Sequence, residues 1–317
     1  MSVKKIPTRD GYGKALLELI AADSTVIALD ADVAKSTRSI WVKEKFPANF
    51  VDVGISEQDM VGIAAGLALG GMKPFVSTYG VFLAGRAWDQ IRTTVCYNKL
   101  NVKLAGAHAG ISVGPDGATH QALEDVAIMR ALPNMIVVVP CDAEETRKAT
   151  LAIAKVNAPC FIRFGREAVP VVTDESTPFE LGKARVCREG SDVAIIANGA
   201  MLYEALEAAK TLAAENISVE VVNLHTVKPI DAEAVIAAAK KCGCVVTAEE
   251  HQIFGGMGSA VAECLAANYP VPQEFVAIKD TFGESGQPQE LMDAYGLNQD
   301  AIISAVKKVI ARKLHKE

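Results

Sequence analysis

Short, almost unbroken apolar runs recur along this chain, each closed by a polar residue or glycine and each followed by an Ala/Leu-rich stretch. TVIALD (25–30), FVDVG (50–54), PFVSTY (74–79), VKLAGA (102–107), MIVVVP (135–140) and PCFIRF (159–164) lack the in–out alternation of a half-wet strand. Strands of that kind are buried on both faces, as in a parallel sheet covered by helices. The helices between them are expected near 10–21, 58–70, 82–97, 121–130 and 143–156. Asp142 is placed to cap the last of these, with Glu144 and Glu145 in its first turn. The alternation breaks over 167–185, which is polar, contains two prolines and has no period, and so reads as an interdomain linker. It then resumes, with strands at 192–197, 218–223, 244–248 and 274–278 and helices near 201–214, 231–240, 256–268, 287–294 and 299–312. The expected fold class is α/β, with two parallel-sheet domains over 1–175 and 190–317 and a linker over 176–189.

Composition narrows the possible partners. The chain has 317 residues, half of them hydrophobic, enough for two cores. Lys+Arg 32 against Asp+Glu 38 gives a net charge of −6 with no basic cluster, which argues against nucleic acid and anionic membrane as partners. Mean hydropathy is +0.21, so some apolar surface is expected in subunit interfaces. The longest apolar run, 61–72, has 12 residues against the ~20 a bilayer span needs. No apolar signal core follows the N-terminus, so a cytoplasmic location is expected. Seven cysteines, an odd number set among apolar residues, read as free buried thiols; Cys242 and Cys244 form C-x-C with no further metal-ligand pair nearby.

In parallel sheets, ligands bind beyond the carboxyl ends of strands. Those ends carry Asp30-Ala31-Asp32, Gly54 to Gln58, Tyr79 to Phe82, His108-Ala109-Gly110 and Arg163 to Arg166. Alone, Glu57 reads as an ordinary carboxylate at a helix N-terminus, while Tyr79 and Phe82, set in a Gly-containing turn directly after a strand, read equally as core aromatics or as site residues. The stretch AHAGISVGPDGATHQ is more specific: His108, Asp116 and His120 share one loop with Gly110, Gly114 and Gly117. The glycines would let backbone approach a ligand closely, and two histidines with an aspartate suit polyol binding or proton transfer. Zinc is the competing reading, weakened by long spacing and missing ligands.

DVGISEQDMVGIAAGLALGGMKPF with AHAGISVGPDGATHQALEDVAIMRALPNM resembles the pyrimidine-binding half of transketolase, and AEEH with GGMGSAVAE resembles its C-terminal domain. The resemblance covers essentially the whole chain and is nearest to split transketolases, whose C-terminal section is a separate polypeptide. It implies a thiamine-diphosphate enzyme that moves a two-carbon ketol unit from a ketose phosphate to an aldose phosphate. It places Glu57 on N1′ of the aminopyrimidine, where an apolar pocket suits a shared proton. Tyr79 and Phe82 would line the pyrimidine pocket, with Phe82 stacked on the ring, and Asp32 would lie near the thiazolium. His108 and His120 would act at the substrate hydroxyls and carbonyl, and Asp116 would read the donor's hydroxyl configuration. Arg9, Ser36 and Arg166 would clamp the phosphate. Gly85 stands where the family often has an aromatic, followed by Arg86.

The family's GDG…N motif for magnesium and diphosphate does not occur in this sequence. The resemblance therefore implies a partner, an N-terminal transketolase subunit carrying that motif. Mg2+ would be held mainly by the partner, no metal would be ligated by this chain, and the assembly would be a heterotetramer self-associating through both domains. Alternatives are a 1-deoxyxylulose-5-phosphate synthase-like subunit, which shares THQ and the RAWDQ string at 86–90, and the β subunit of a 2-oxo acid dehydrogenase. A transketolase for a non-standard sugar and a non-catalytic interface subunit are the others. The second domain is assigned no catalysis: Gly255 to Gly258 reads as a tight turn and dimer contact, with an anion site at that helix start as the lesser reading.

Overall fold

The computed structural model describes residues 4–314. Among these, the chain forms two α/β layers and a small two-stranded ribbon. The ribbon pairs β1 (Lys5–Pro7) antiparallel with β8 (Ala168–Pro170), fastening the start of the chain to the end of its first half. The larger sheet has seven strands in the order β12-β6-β7-β5-β4-β2-β3. Its strands are β2 (Val26–Asp30), β3 (Phe50–Asp52), β4 (Lys73–Tyr79), β5 (Lys103–Ala107), β6 (Ile136–Val138), β7 (Cys160–Arg163) and β12 (Thr226–Lys228). All pair in parallel except β12, which comes from the second half and closes the edge antiparallel to β6. The second sheet runs β14-β13-β10-β11-β9. Its strands are β9 (Arg185–Arg188), β10 (Val193–Ala197), β11 (Val219–Asn223), β13 (Val245–Gln252) and β14 (Gln273–Ile278).

The central strands are sequestered because they are apolar on both faces: β5 and β10 are buried along their whole length. Helices cover each sheet, and Asp142 caps the helix Ala143–Ala154 by accepting from the Glu145 backbone N–H. No helix among the described residues is long and apolar enough to cross a membrane. All seven cysteines are free, and only Cys187 is not fully buried.

Several segments differ from expectation. The stretch read as linker holds β8 and β9, and β9 pairs antiparallel with β11, so residues 185–188 belong to the second sheet. The helix expected over 121–130 begins at Asp125, because Ala122 bridges to Ala109 and its carbonyl accepts from Arg163. The helix expected over 82–97 is two π-helical turns, Phe82–Arg86 and Ile91–Cys96, around Trp88–Gln90. Such wide turns concentrate at functional sites.

Candidate functional site

β2 ends in Asp30, whose buried carboxylate gathers the chain that follows. Val33 N–H donates to Oδ1 at 2.7 Å, and the Thr37 and Ser39 hydroxyls donate to Oδ2 at 2.7 and 2.8 Å. Burial pushes the Asp30 pKa up to about 6 against the pull of these donors. The turn so wrapped presents Ser36.

Arg9, in the first turn of the helix Thr8–Ala22, donates from Nη1 to Ser36 O at 3.2 Å and to His108 Nε2 at 3.0 Å. A guanidinium only donates, so Nε2 accepts and the imidazole proton sits on Nδ1. That Nδ1 and Arg9 Nε are both buried without a hydrogen-bond partner among the described residues. Burial, then the charges of Arg9 and Arg166, push the His108 pKa down to about 3. Burial and neighbouring Arg38 lower that of Arg9 as well.

Tyr79, the last residue of β4, joins this group to the aromatic one. Its hydroxyl donates to Ser36 Oγ at 3.1 Å, and its ring stacks on His108 with centroids 4.5 Å apart. His120 meets Phe82 edge-on at 5.2 Å and Tyr79 at 5.9 Å. The first π-helical turn sets Arg86 over the ring of Phe82, 4.6 Å from its centroid, and Arg86 Nη1 donates to Glu57 Oε2 at 2.8 Å. Glu57 begins the helix Glu57–Leu69 and is 3% exposed. Its Oε1 accepts no hydrogen bond from the described residues.

Asp116 and Arg166 pair at 3.3 Å, and Arg166 also donates to Val113 O. Asp32, at φ 61°, donates its N–H to Asp52 and shares a cavity of about 360 Å3 with Ser36 and Tyr79. Through Arg86, which touches both Glu57 and the Phe82 ring, Glu57 joins Phe82, His120, Tyr79, His108, Arg9 and Ser36 in one chain of contacts, with Arg166 and Asp116 beside it and Asp32 at its edge. A larger cavity, about 590 Å3 between Arg92, Tyr97 and Asn134, holds none of these groups.

Three expectations need correcting. Glu57 is not in a purely apolar pocket, because Arg86 pairs with it; the sequence named Arg86 only as the neighbour of an irregular glycine. Arg163 is not at the rim: it is buried, bound to Asp125 at 2.9 Å and to the carbonyls of Ala122 and Glu250. The N-terminus of the helix Met257–Asn268 has no room for an external anion, because the Glu249 carboxylate accepts from Met257 N and Gly258 N at 2.7 Å each.

Residues 4–172 match the model of the transketolase pyrimidine binding domain, and 182–302 match that of the transketolase C-terminal domain. The chain belongs to the transketolase family. It is 43% identical to the 6-deoxy-6-sulfo-D-fructose transketolase subunit SqwH of Clostridium sp. (strain MSTE9), across 96% of this chain and 95% of that one. It is 41% identical to a putative transketolase C-terminal section of Methanocaldococcus jannaschii, across 96% of both. Among solved structures, a split gene transketolase described as an inactive beta4 tetramer superposes with a TM-score of 0.92 at 48% identity, covering 97% of this chain and 99% of that one. This transketolase chain therefore has the α/β fold and two-domain content of split C-terminal subunits.

Proposed function

We propose that this chain is the C-terminal subunit of a split thiamine-diphosphate-dependent transketolase, transferring a two-carbon ketol unit between sugar phosphates. The observation that supports it most is the contact chain from Glu57 through Arg86, Phe82, His120 and Tyr79 to His108 and Arg9. It lines up a buried carboxylate, an aromatic face, two imidazoles and a guanidinium in the order that coenzyme, reacting carbon and anionic tail require.

The residues present fit the coenzyme. Glu57 keeps Oε1 available for the aminopyrimidine while Arg86 occupies Oε2, and Phe82 and Tyr79 supply aromatic faces. Thiamine diphosphate, when bound, supplies the carbanion chemistry. The chain's own groups do the rest. His108, neutral with its proton on Nδ1, donates a hydrogen bond to a sugar oxygen. His120 is half-buried and moves protons at the substrate hydroxyls. Asp116 accepts from the donor's hydroxyls, and Asp32 lies on the thiazolium side. Arg9, Ser36 and Arg166 take the anionic end; Arg9 bonds to no carboxylate among the described residues, so a dianion would answer its charge. A sulfonate would satisfy the same donors, and the name of the SqwH relative favours testing one.

The diphosphate and Mg2+ would be held mainly by a partner subunit with the GDG motif. Exposed Ile55, Leu69 and Tyr97, at 77%, 76% and 82%, support a covered face in such an assembly. Seven free thiols are consistent with the cytoplasm.

The test is to assay the purified chain with thiamine diphosphate, magnesium and xylulose 5-phosphate or 6-deoxy-6-sulfo-D-fructose, with and without its neighbour-encoded partner. Turnover is expected only with the partner, and Glu57→Ala should abolish it. Activity from this chain alone would contradict the split reading, and near-normal rates in the variant would remove Glu57 from its role.

A further inference from the structure

Gly110, Gly114 and Gly117 were expected to admit a ligand. What approaches them is the second half of the chain. Their φ angles are +91°, +80° and +74°, a region glycine enters freely. A methyl at 110 would overlap the Glu250 carboxyl, one at 114 would press on Pro288, and one at 117 would meet Ser285 Oγ. The loop is therefore moulded against three separate points of the C-terminal half.

Hydrogen bonds fix the same contact. Glu250 Oε1 accepts from Ser112 N–H at 2.7 Å, and Gln121 Nε2 donates to Glu284 O at 2.9 Å. His251 Nε2 accepts from Ala127 N–H at 3.3 Å, just beyond the loop. Arg163 ties the two sides from below, donating to Ala122 O at 3.1 Å and to Glu250 O at 2.8 Å. Burial pushes the Glu250 pKa up, and the Arg163 charge works against it.

We propose that the C-terminal half is the template for the loop spanning 108–121, and that Glu250 is its positioning residue, setting the loop through Ser112 N–H so that His108 and His120 face Tyr79 together. A loop with three glycines at positive φ and a histidine at φ 49° would otherwise sample many conformations. Catalytic groups need placement within about 0.5 Å, which such a loop does not provide by itself. The AEEH motif, assigned no chemistry from sequence, acquires a positioning role in this way. Glu249 caps its own helix, while Glu250 and His251 grip the first half. The activity arm of the test rests on the functional reading above; the structural arm does not.

Amide hydrogen exchange of the full chain is the structural arm. Glu250→Ala should raise exchange over 108–121 by about tenfold or more, the worth of one hydrogen bond to a charged group, while β10 and β11 keep their protection. Glu250→Gln, which retains an accepting oxygen, should restore most of it. Unchanged loop exchange in the folded Glu250→Ala chain, or an equal rise across both sheets, would overturn the proposal. Should that variant not fold, the wild-type Ser112 amide decides: exchange at the rate of an open loop refutes the contact. In the complex reconstituted with its partner, Glu250→Ala should lower kcat about tenfold and raise KM by less, because the loop carries Asp116 and anchors Arg166 while Arg9 and Ser36 lie outside it. Loosened exchange with unaltered kcat would also overturn it. A wild-type complex with no transketolase turnover would instead fail the functional reading and leave the exchange result standing.

Discussion

The two sheets end in comparable rims that spend their polar groups differently. At the end of β13, Glu249, Glu250 and His251 all find backbone partners: Met257 N and Gly258 N, Ser112 N, and Ala127 N. At the rim of the larger sheet, His108 Nδ1 and Arg9 Nε are buried with none among the described residues. Burying a donor without a partner costs free energy, and a structural role does not explain keeping two of them side by side. Between these two clusters the difference is satisfaction rather than residue type, although Asn223 Oδ1 and Arg185 Nε, elsewhere in the second sheet, are also buried without a partner among the described residues. Histidine and glutamate occur at both.

That contrast predicts opposite phenotypes. The largest effect is expected for His120→Ala in the reconstituted complex: kcat/KM should fall by about 10²–10⁴, the usual worth of a general acid–base, while the melting temperature of the chain stays nearly constant. Steady-state kinetics beside a thermal melt would check it, and a melt that moves as much as the rate would blur the two rims. Glu249→Ala should do the reverse. Two helix N–H groups lose a buried acceptor, so stability should drop by about 2 kcal/mol in urea unfolding, with kcat per folded molecule unchanged.

The Glu57–Arg86 pair lies between these extremes. Glu57 is 3% exposed but Arg86 is 49% exposed, so water screens the pair and Arg86→Ala should cost about 1 kcal/mol rather than the several of a fully buried bridge. Adding Glu57→Ala to Arg86→Ala should recover part of that loss. A double-mutant cycle on unfolding free energies tests it, and strict additivity would show that the two side chains do not interact in solution.

Much of the larger architecture was legible in the sequence. Strands β2, β4, β5, β7, β10 and β11 announce themselves because burial on both faces leaves a largely apolar run, interrupted only at points such as Glu220 and Ser77. What escaped were pieces whose partners decide their state. Lys5–Pro7, Arg185–Arg188 and Thr226–Lys228 are short and partly polar, and each becomes a strand only through an antiparallel neighbour far along the chain. The π-helical turns at 82–96 have a helical pattern that does not disclose their width. At the site, the His…Asp…His loop carried its own signal. Arg86 and Glu250 did not, since one acts through a residue 29 positions away and the other through one 138 positions away. The loop glycines were noticed for a sound reason, close approach, but sequence does not say what approaches.

The smallest predicted effect tests the charge state on which the rim comparison depends. His108 has a pKa pushed down to about 3 by burial and by Arg9 and Arg166. As pH falls below the ordinary histidine value of about 6.5, the unfolded chain therefore takes up a proton that the folded chain refuses. The stability this residue contributes is complete above that value and is lost as pH falls toward the folded pKa. Between pH 7.5 and 5.5 the loss should be about 1 kcal/mol, and His108→Gln should flatten that part of the profile by the same amount. Ring-nitrogen NMR at pH 5.5 should still show a neutral imidazole protonated on Nδ1. A protonated His108 at that pH would mean that Arg9 does not donate to it, and the hydrogen-bond assignment on which the rim comparison rests would fall.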